Sequence, residues 1–167
     1  MFISTSEPLS TSIASAQGDP HQAAIAETQS CAGCHSRRSK ISQDPINNHP
    51  GGGGFLDHYR LQTLQQDLYH ADGQIQDEVY VYGSFIQSKM YQRGVTCSNC
   101  HNPHSLELVA QGNDLCAGCH APEAYDQPSH HFHKQEGSSG AQCVNCHMPA
   151  TLYMGVDARR DHSMRIP

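Results

Sequence analysis

Four copies of one short motif constrain this 167-residue chain more than any other feature of its sequence. The eight cysteines form four pairs with two residues between the members of each pair, and a histidine follows each pair at once. The four motifs are Cys31, Cys34 and His35; Cys97, Cys100 and His101; Cys116, Cys119 and His120; and Cys143, Cys146 and His147. A disulfide framework explains the even count of cysteines, but it explains neither the constant spacing nor the histidines. Zinc sites built from C-x-x-C pairs explain the spacing, but they do not require a histidine after each pair.

The pattern C-x-x-C-H is typical of haem c attachment. The two cysteine sulfurs add to the haem vinyl groups, and the two intervening residues let the chain span those groups on one turn of helix. The histidine then becomes the proximal ligand of the iron. We therefore predict four covalent haem c groups, each held by two cysteines and one proximal histidine, and keep zinc as the alternative cofactor.

The composition favours a chain that depends on a cofactor for its core. Apolar residues make up 37% of the chain and aromatic residues 7%, tryptophan is absent, and glycine (14) and proline (9) are plentiful. Small domains with so little apolar material usually depend on disulfides, metals or cofactors. The predicted fold class is mostly coil with short α-helices, wrapped around a stack of four covalent haems, with little or no β-sheet.

The chain divides into two predicted parts, which are an extended Ser/Thr-rich tail at residues 1–30 and a tetrahaem cytochrome c domain at residues 31–167. Within the domain, the glycine run at residues 51–54 predicts a flexible joint.

A helix is predicted from Asp57 to just before Gly73, because Leu61, Leu64 and Leu68 share one face. His58 and His70 would then lie about 18 Å apart, at a rise of about 1.5 Å per residue, and could not serve the same iron.

Each haem iron can take a sixth ligand on the face opposite its proximal histidine, and nine further histidines are available. His104 stands three residues after His101, and so short a segment cannot pass around the edge of a porphyrin. His104 is therefore excluded from the haem of its own motif but can bind a neighbouring iron. The candidate distal ligands are His58, His70, His104, His131, His133 and His162.

The SHHFHK segment, residues 129–134, is expected to provide one distal ligand, with its other histidines solvated or bonded to propionates. Methionine ligation is the alternative scheme, but Met148 directly follows His147 and is excluded from that haem by the same geometry. We expect four low-spin bis-histidine haems of low reduction potential, since methionine ligation raises the potential.

Long stretches outside the motifs carry a family resemblance. They are LDHYRLQTLQQDLYHADGQIQDEVYVYGSFIQSKMYQRGVTCSNCHNPHS, GNDLCAGCH and AQCVNCHMPATLYMGVDARRDHSMRIP. From about Cys31 to Pro167 the chain resembles the multihaem cytochrome module that is often linked to tetratricopeptide repeats and is similar to the cytochrome c554-like group. The resemblance implies electron transfer. It also implies that His58, His70, His104, the HHFH cluster and His162 are the histidines that matter.

The predicted function is electron transfer, without catalysis, by an extracytoplasmic tetrahaem cytochrome that is periplasmic or extracellular, since haem c is attached outside the cytoplasm. Its expected partners are redox proteins or an extracellular electron acceptor. The net charge of −6 argues against nucleic acid, and no apolar run approaches the roughly 18 residues of a membrane span. The alternatives are a multihaem reductase or oxidase, which needs an open iron position, and a detached module of a longer repeat-bearing cytochrome.

We also expect head-to-tail self-association. The tail has too little apolar content to pack on its own domain, and such segments are ordered only when something ties them down. If the tail packs on the next subunit, the contact does not close and propagates as a helix. This predicts a polymeric extracellular cytochrome filament, or nanowire.

Overall fold

Short helices joined by coil make up most of the computed structural model, which describes residues 20–41, 54–105, 107–134 and 137–167. Residues 51–53 of the predicted joint and the first nineteen residues of the predicted tail lie outside these ranges. The helices are α1 Pro20–His35, α2 Phe55–His58, α3 Tyr82–Phe85, α4 Lys89–Gln92, α5 Asp114–Ala117, α6 Pro122–Tyr125, α7 Pro128–His131 and α8 Cys143–His147, with 3-10 turns at Cys97–Asn99 and Ser139–Ala141.

Two small antiparallel sheets are present in the described part of the chain. Strand β1, Arg38–Lys40, pairs with β2, Tyr59–Leu61. Strand β3, Ala150–Tyr153, forms a hairpin with β4, Asp157–Arg160. The prediction of a mostly coil chain with short helices and little sheet is confirmed, whereas its wrapping around four stacked haems stays a prediction.

Helix α1 has 16 residues and carries the first C-x-x-C-H motif at its C-terminal end. Proline is favourable at the first position of a helix, because its missing N–H would have no partner there. Residues 20–30 were predicted to belong to an extended tail. They are instead helical and continuous with the first motif. The division into tail and domain at residue 30 stays a prediction.

The predicted helix from Asp57 to Gly73 is wrong. Helix α2 ends at His58, and Tyr59 adopts an extended backbone with φ −134° and ψ 142°. The Asp57 carboxylate accepts a hydrogen bond of 2.6 Å from the Gly54 N–H and so closes a single turn. Pairing with β1 overrides the local helix pattern, as tertiary contacts often do. The distance predicted between His58 and His70 assumed that this helix was continuous, and it therefore no longer applies.

Most of the buried apolar side chains in the described residues form two small clusters. One contains Ala32, Phe55 and Tyr82, and the other contains Leu68, Tyr69 and Val79. Among the described residues after Phe85, the only buried hydrophobic side chain is that of Ala141. Three of the four motifs lie in this later part of the chain, which therefore has almost no side-chain core of its own.

Helix α3 packs so closely on the second cluster that it requires a glycine. A Cβ atom added at Gly83 would overlap the phenol oxygen of Tyr69, whose side chain is buried. We expect Gly83→Ala to lower the free energy of unfolding by about 1–3 kcal/mol through overpacking, measured as a lower thermal midpoint. The double variant Gly83→Ala with Tyr69→Phe is the control, since it removes the overlapping oxygen. If the double variant is no more stable than Gly83→Ala alone, overlap with the Tyr69 oxygen is excluded as the cause of the destabilisation.

Candidate haem-binding sites

Each motif lies on a helical turn. The first ends α1 and the fourth forms α8. In the second, the His101 N–H donates to the Cys97 carbonyl at 2.9 Å, and in the third the His120 N–H donates to the Cys116 carbonyl at 2.9 Å. Cysteines three residues apart on such a turn project to the same side. Both sulfurs of each motif can therefore reach one porphyrin.

The motifs lie beside one another in pairs. Burial and the neighbouring Cys31 thiol raise the pKa of Cys97 to about 12. Burial and the neighbouring Cys116 thiol raise the pKa of Cys143 to about 11. The first motif therefore adjoins the second, and the third adjoins the fourth.

The second motif lies near the third. Burial raises the pKa of Cys100, and the Cys119 thiol is near enough to raise it further. Asn113 then fixes the third motif to the fourth. Its amide donates to the Ala141 carbonyl at 2.8 Å and its oxygen accepts from the Cys143 N–H at 3.0 Å. The four motifs are thus adjacent in chain order.

His162 faces the histidine of the second motif. The ring centres of His101 and His162 are 6.3 Å apart, and the ring planes differ by 27°. The Nδ1 atom of His162 is 2.9 Å from the Arg160 carbonyl oxygen. A carbonyl can only accept, so this contact places the proton on Nδ1 and leaves the lone pair of Nε2 available. Burial lowers the pKa of His162, which favours the neutral imidazole that a metal requires.

His130 faces the histidine of the fourth motif in the same way. The ring centres of His130 and His147 are 6.1 Å apart, with planes that differ by 14°. The Nδ1 atom of His147 is 2.7 Å from the Arg165 carbonyl oxygen, so its Nε2 lone pair is also available. The two histidine pairs therefore share spacing, near-parallel planes and a backbone carbonyl that orients one ring.

These pairs fit an iron bound between two imidazoles. A metal–imidazole bond is about 2 Å long and the ring centre lies about 1 Å behind the nitrogen, so two ligands on opposite sides of one metal have centres about 6 Å apart. A hydrogen bond from the other ring nitrogen to a carbonyl is the usual support of a metal-bound histidine. The near absence of a side-chain core around three motifs also suits a large apolar cofactor.

The structure brings His131 and His133 together as well, with ring centres 6.5 Å apart. Two residues of chain cannot pass around a porphyrin, so these rings cannot flank the same haem. The His131 side chain is only 8% exposed, and its Nε2 lies 3.9 Å from the Asp126 carboxylate. This Nε2 and the Nδ1 of His58 are buried without a hydrogen-bond partner in the described structure.

The other candidates lie apart from these pairs. His70 and His104 are exposed, and neither makes a ring contact with another histidine in the ranges described. Among the proximal histidines, His35 lines a cavity of about 300 Å³ with His162. His120 packs edge-on against Tyr125, with ring centres 5.8 Å apart.

His130 was missed by the sequence analysis, which selected His131 and His133 from the same cluster. The segment forms α7, Pro128–His131, and neighbouring residues on a helix project about 100° apart. His130 and His131 must therefore face different directions. Which of them faces α8 depends on tertiary packing, so the sequence identifies the cluster but not the residue.

One family model, described as the doubled CXXCH motif, matches residues 90–125, or 36 of the 167 residues. This stretch contains the second and third motifs. Comparison with curated proteins and with solved structures gives no match. The doubled motif indicates a multihaem c-type cytochrome. Its C-x-x-C-H segments indicate covalently bound haem c and a role in electron transfer.

Two further observations concern metal binding and membrane insertion. Within the ranges described, no three His, Cys, Asp or Glu side chains converge so as to hold a metal ion by themselves. No helix in the described part of the chain is long and apolar enough to cross a membrane.

Proposed function

We propose that this multihaem c-type cytochrome carries electrons outside the cytoplasm through four closely packed haems, each with two axial histidines. When bound, haem supplies a one-electron iron couple. The observation that carries the proposal is the near-parallel facing of His101 with His162 and of His130 with His147. Filled axial positions leave an iron no place for a substrate, which favours electron transfer over catalysis.

Cysteines attach the haems covalently in this proposal, and histidines ligate the iron. The four cysteine pairs attach the haems, and the histidine of each motif is the proximal ligand. His162 completes the second site and His130 completes the fourth. For the first and third sites we propose ligands from the remaining candidates. These remaining candidates are His58, His70, His104, His131 and His133.

A haem count and the iron spin state test this proposal. We expect the intact mass and the pyridine haemochrome absorbance to give four haems per chain, and the resting ferric protein to give only low-spin EPR signals. One or two zinc atoms without haem would exclude the cofactor assignment. A high-spin ferric signal in the resting protein would instead support the reductase or oxidase alternative, because it reveals an open iron position.

We further propose that the cytochrome is extracellular and assembles head to tail into a filament, with redox proteins or an extracellular acceptor as its electron partners. The apolar tip of the β3–β4 hairpin supports self-association, since Leu152, Met154 and Val156 are 62%, 77% and 86% exposed. Exposed apolar patches commonly mark interaction surfaces.

Electron microscopy of the purified holoprotein tests the filament. We expect fibres from the unmodified protein and shorter or no fibres from Val156→Glu, which places a charge on the apolar tip. Thr151→Glu is the control, because its exposed side chain lies on β3 outside the tip. Discrete particles of one or two chains at micromolar concentration would exclude the filament while leaving the electron-transfer assignment intact.

A further inference from the structure

One segment accepts hydrogen bonds from histidines of the two facing pairs. We call Arg160–Arg165 the strap. The carbonyl of Arg160 accepts a hydrogen bond from His162 Nδ1 at 2.9 Å, and the carbonyl of Arg165 accepts one from His147 Nδ1 at 2.7 Å. His162 belongs to the pair of the second motif and His147 to the pair of the fourth. The two carbonyls lie near opposite ends of the same six residues.

A buried carboxylate fixes the shape of the strap. Asp161 is 6% exposed and accepts hydrogen bonds from the Ser163 N–H at 3.0 Å, from the Ser163 hydroxyl and from Arg165 Nε at 3.1 Å. Arg165 Nε also donates to the Ser163 hydroxyl oxygen at 2.7 Å. This network holds the second half of the strap against Asp161 and so sets where the Arg165 carbonyl lies.

The strap is also attached to the fourth motif. The Arg160 guanidinium donates to the Val144 carbonyl within α8 at 3.1 Å and to the carbonyl of Met148, the residue after α8, at 2.9 Å. The Asp161 N–H donates to the Pro149 carbonyl at 3.0 Å. The position of Asp161 relative to α8 is therefore fixed by hydrogen bonds from both its own backbone and the preceding side chain.

We propose that Asp161 is a positioning residue that sets the axial ligands of two haems at once, through the carbonyls on either side of it. The inference rests on the proposed bis-histidine function. A hydrogen bond from Nδ1–H to a carbonyl raises the basicity of the ligating imidazole, and second-shell hydrogen bonding is one of the levers on the potential of a haem. A more basic ligand stabilises ferric iron, so loosening the strap raises both reduction potentials together.

The test compares Asp161→Asn with Asp157→Asn in the full haem-loaded chain. Both variants remove one carboxylate charge. Asp157 accepts from Arg159 at 2.8 Å on β4, outside the strap. The readouts are the reduction potential of each haem by spectroelectrochemical titration and the ferric EPR signals, which depend on the angle between the two axial imidazole planes. The second and fourth haems are identified by the signals that disappear in His162→Ala and His130→Ala.

Asp161→Asn is expected to raise the potentials of the second and fourth haems and to change their EPR signals, while the first and third haems keep theirs. Asp157→Asn is expected to change neither. The inference would be overturned if the reduction potential of only one haem shifted, if all four potentials shifted equally, or if none shifted. If Asp161→Asn does not accumulate as holoprotein, Ser163→Ala weakens the same network and is judged by the same outcomes. Failure of the bis-histidine proposal is distinct, because it is seen in the unmodified protein as missing low-spin signals.

Discussion

Replacing His162 by alanine is expected to open one haem iron of the four without removing any haem. The ring of His162 lies 6.3 Å from that of His101, and under the proposed ligation its loss would leave the second haem with a histidine on one face only. The reduced variant should bind about one CO per chain, since an iron with an open position takes the ligand that a bis-histidine iron excludes. The measurement is a CO titration followed by the Soret absorbance, together with the high-spin EPR signal of the oxidised protein.

His130→Ala is the matched comparison for this variant. It should open the fourth haem instead, with about one CO bound per chain, and the double variant should bind about two. The haem count of all three proteins should stay unchanged, because the cysteines are intact. CO binding by the unmodified protein, or none by His162→Ala, would contradict the assignment of these two distal ligands.

The chain made without haem is expected to be largely unfolded. Its two buried side-chain clusters are small, and after Phe85 Ala141 is the only buried hydrophobic residue among those described. A folded domain is stable by only about 5–15 kcal/mol, and burying a large aromatic side chain contributes about 1.5–3 kcal/mol. Losing the contacts of several porphyrins should therefore remove the whole net stability.

Circular dichroism and amide hydrogen exchange measure this effect. The haem-free chain, made in the cytoplasm where haem c is not attached, should show no cooperative thermal transition and little amide protection. The same chain exported through a haem-attachment pathway is the control and should show both. Cooperative melting of the haem-free chain would show that the side chains alone specify the fold.

The local parts of the fold were the most predictable. Four haem motifs in a chain of low apolar content predict a mostly coil chain with short helices, which is confirmed, and the motifs themselves place helical turns at His35 and His147. The helix predicted from Asp57 was wrong, because the pattern of Leu61, Leu64 and Leu68 takes no account of β1. A strand of three residues, Arg38–Lys40, pairs with Tyr59–Leu61 and ends α2 after one turn.

The sequence by itself determined the attachment chemistry of this protein, because two cysteines and a histidine within five residues form their site on one turn of helix. It also placed His162 and the HHFH cluster among the residues to examine. Only the tertiary structure decided that His162 lies against His101, that His130 rather than its neighbours lies against His147, and that the strap accepts a hydrogen bond from one ring of each pair. An axial ligand approaches from the far side of the haem and from a distant point in the chain. The identity of the axial ligand therefore depends on tertiary packing, which a local sequence pattern cannot predict.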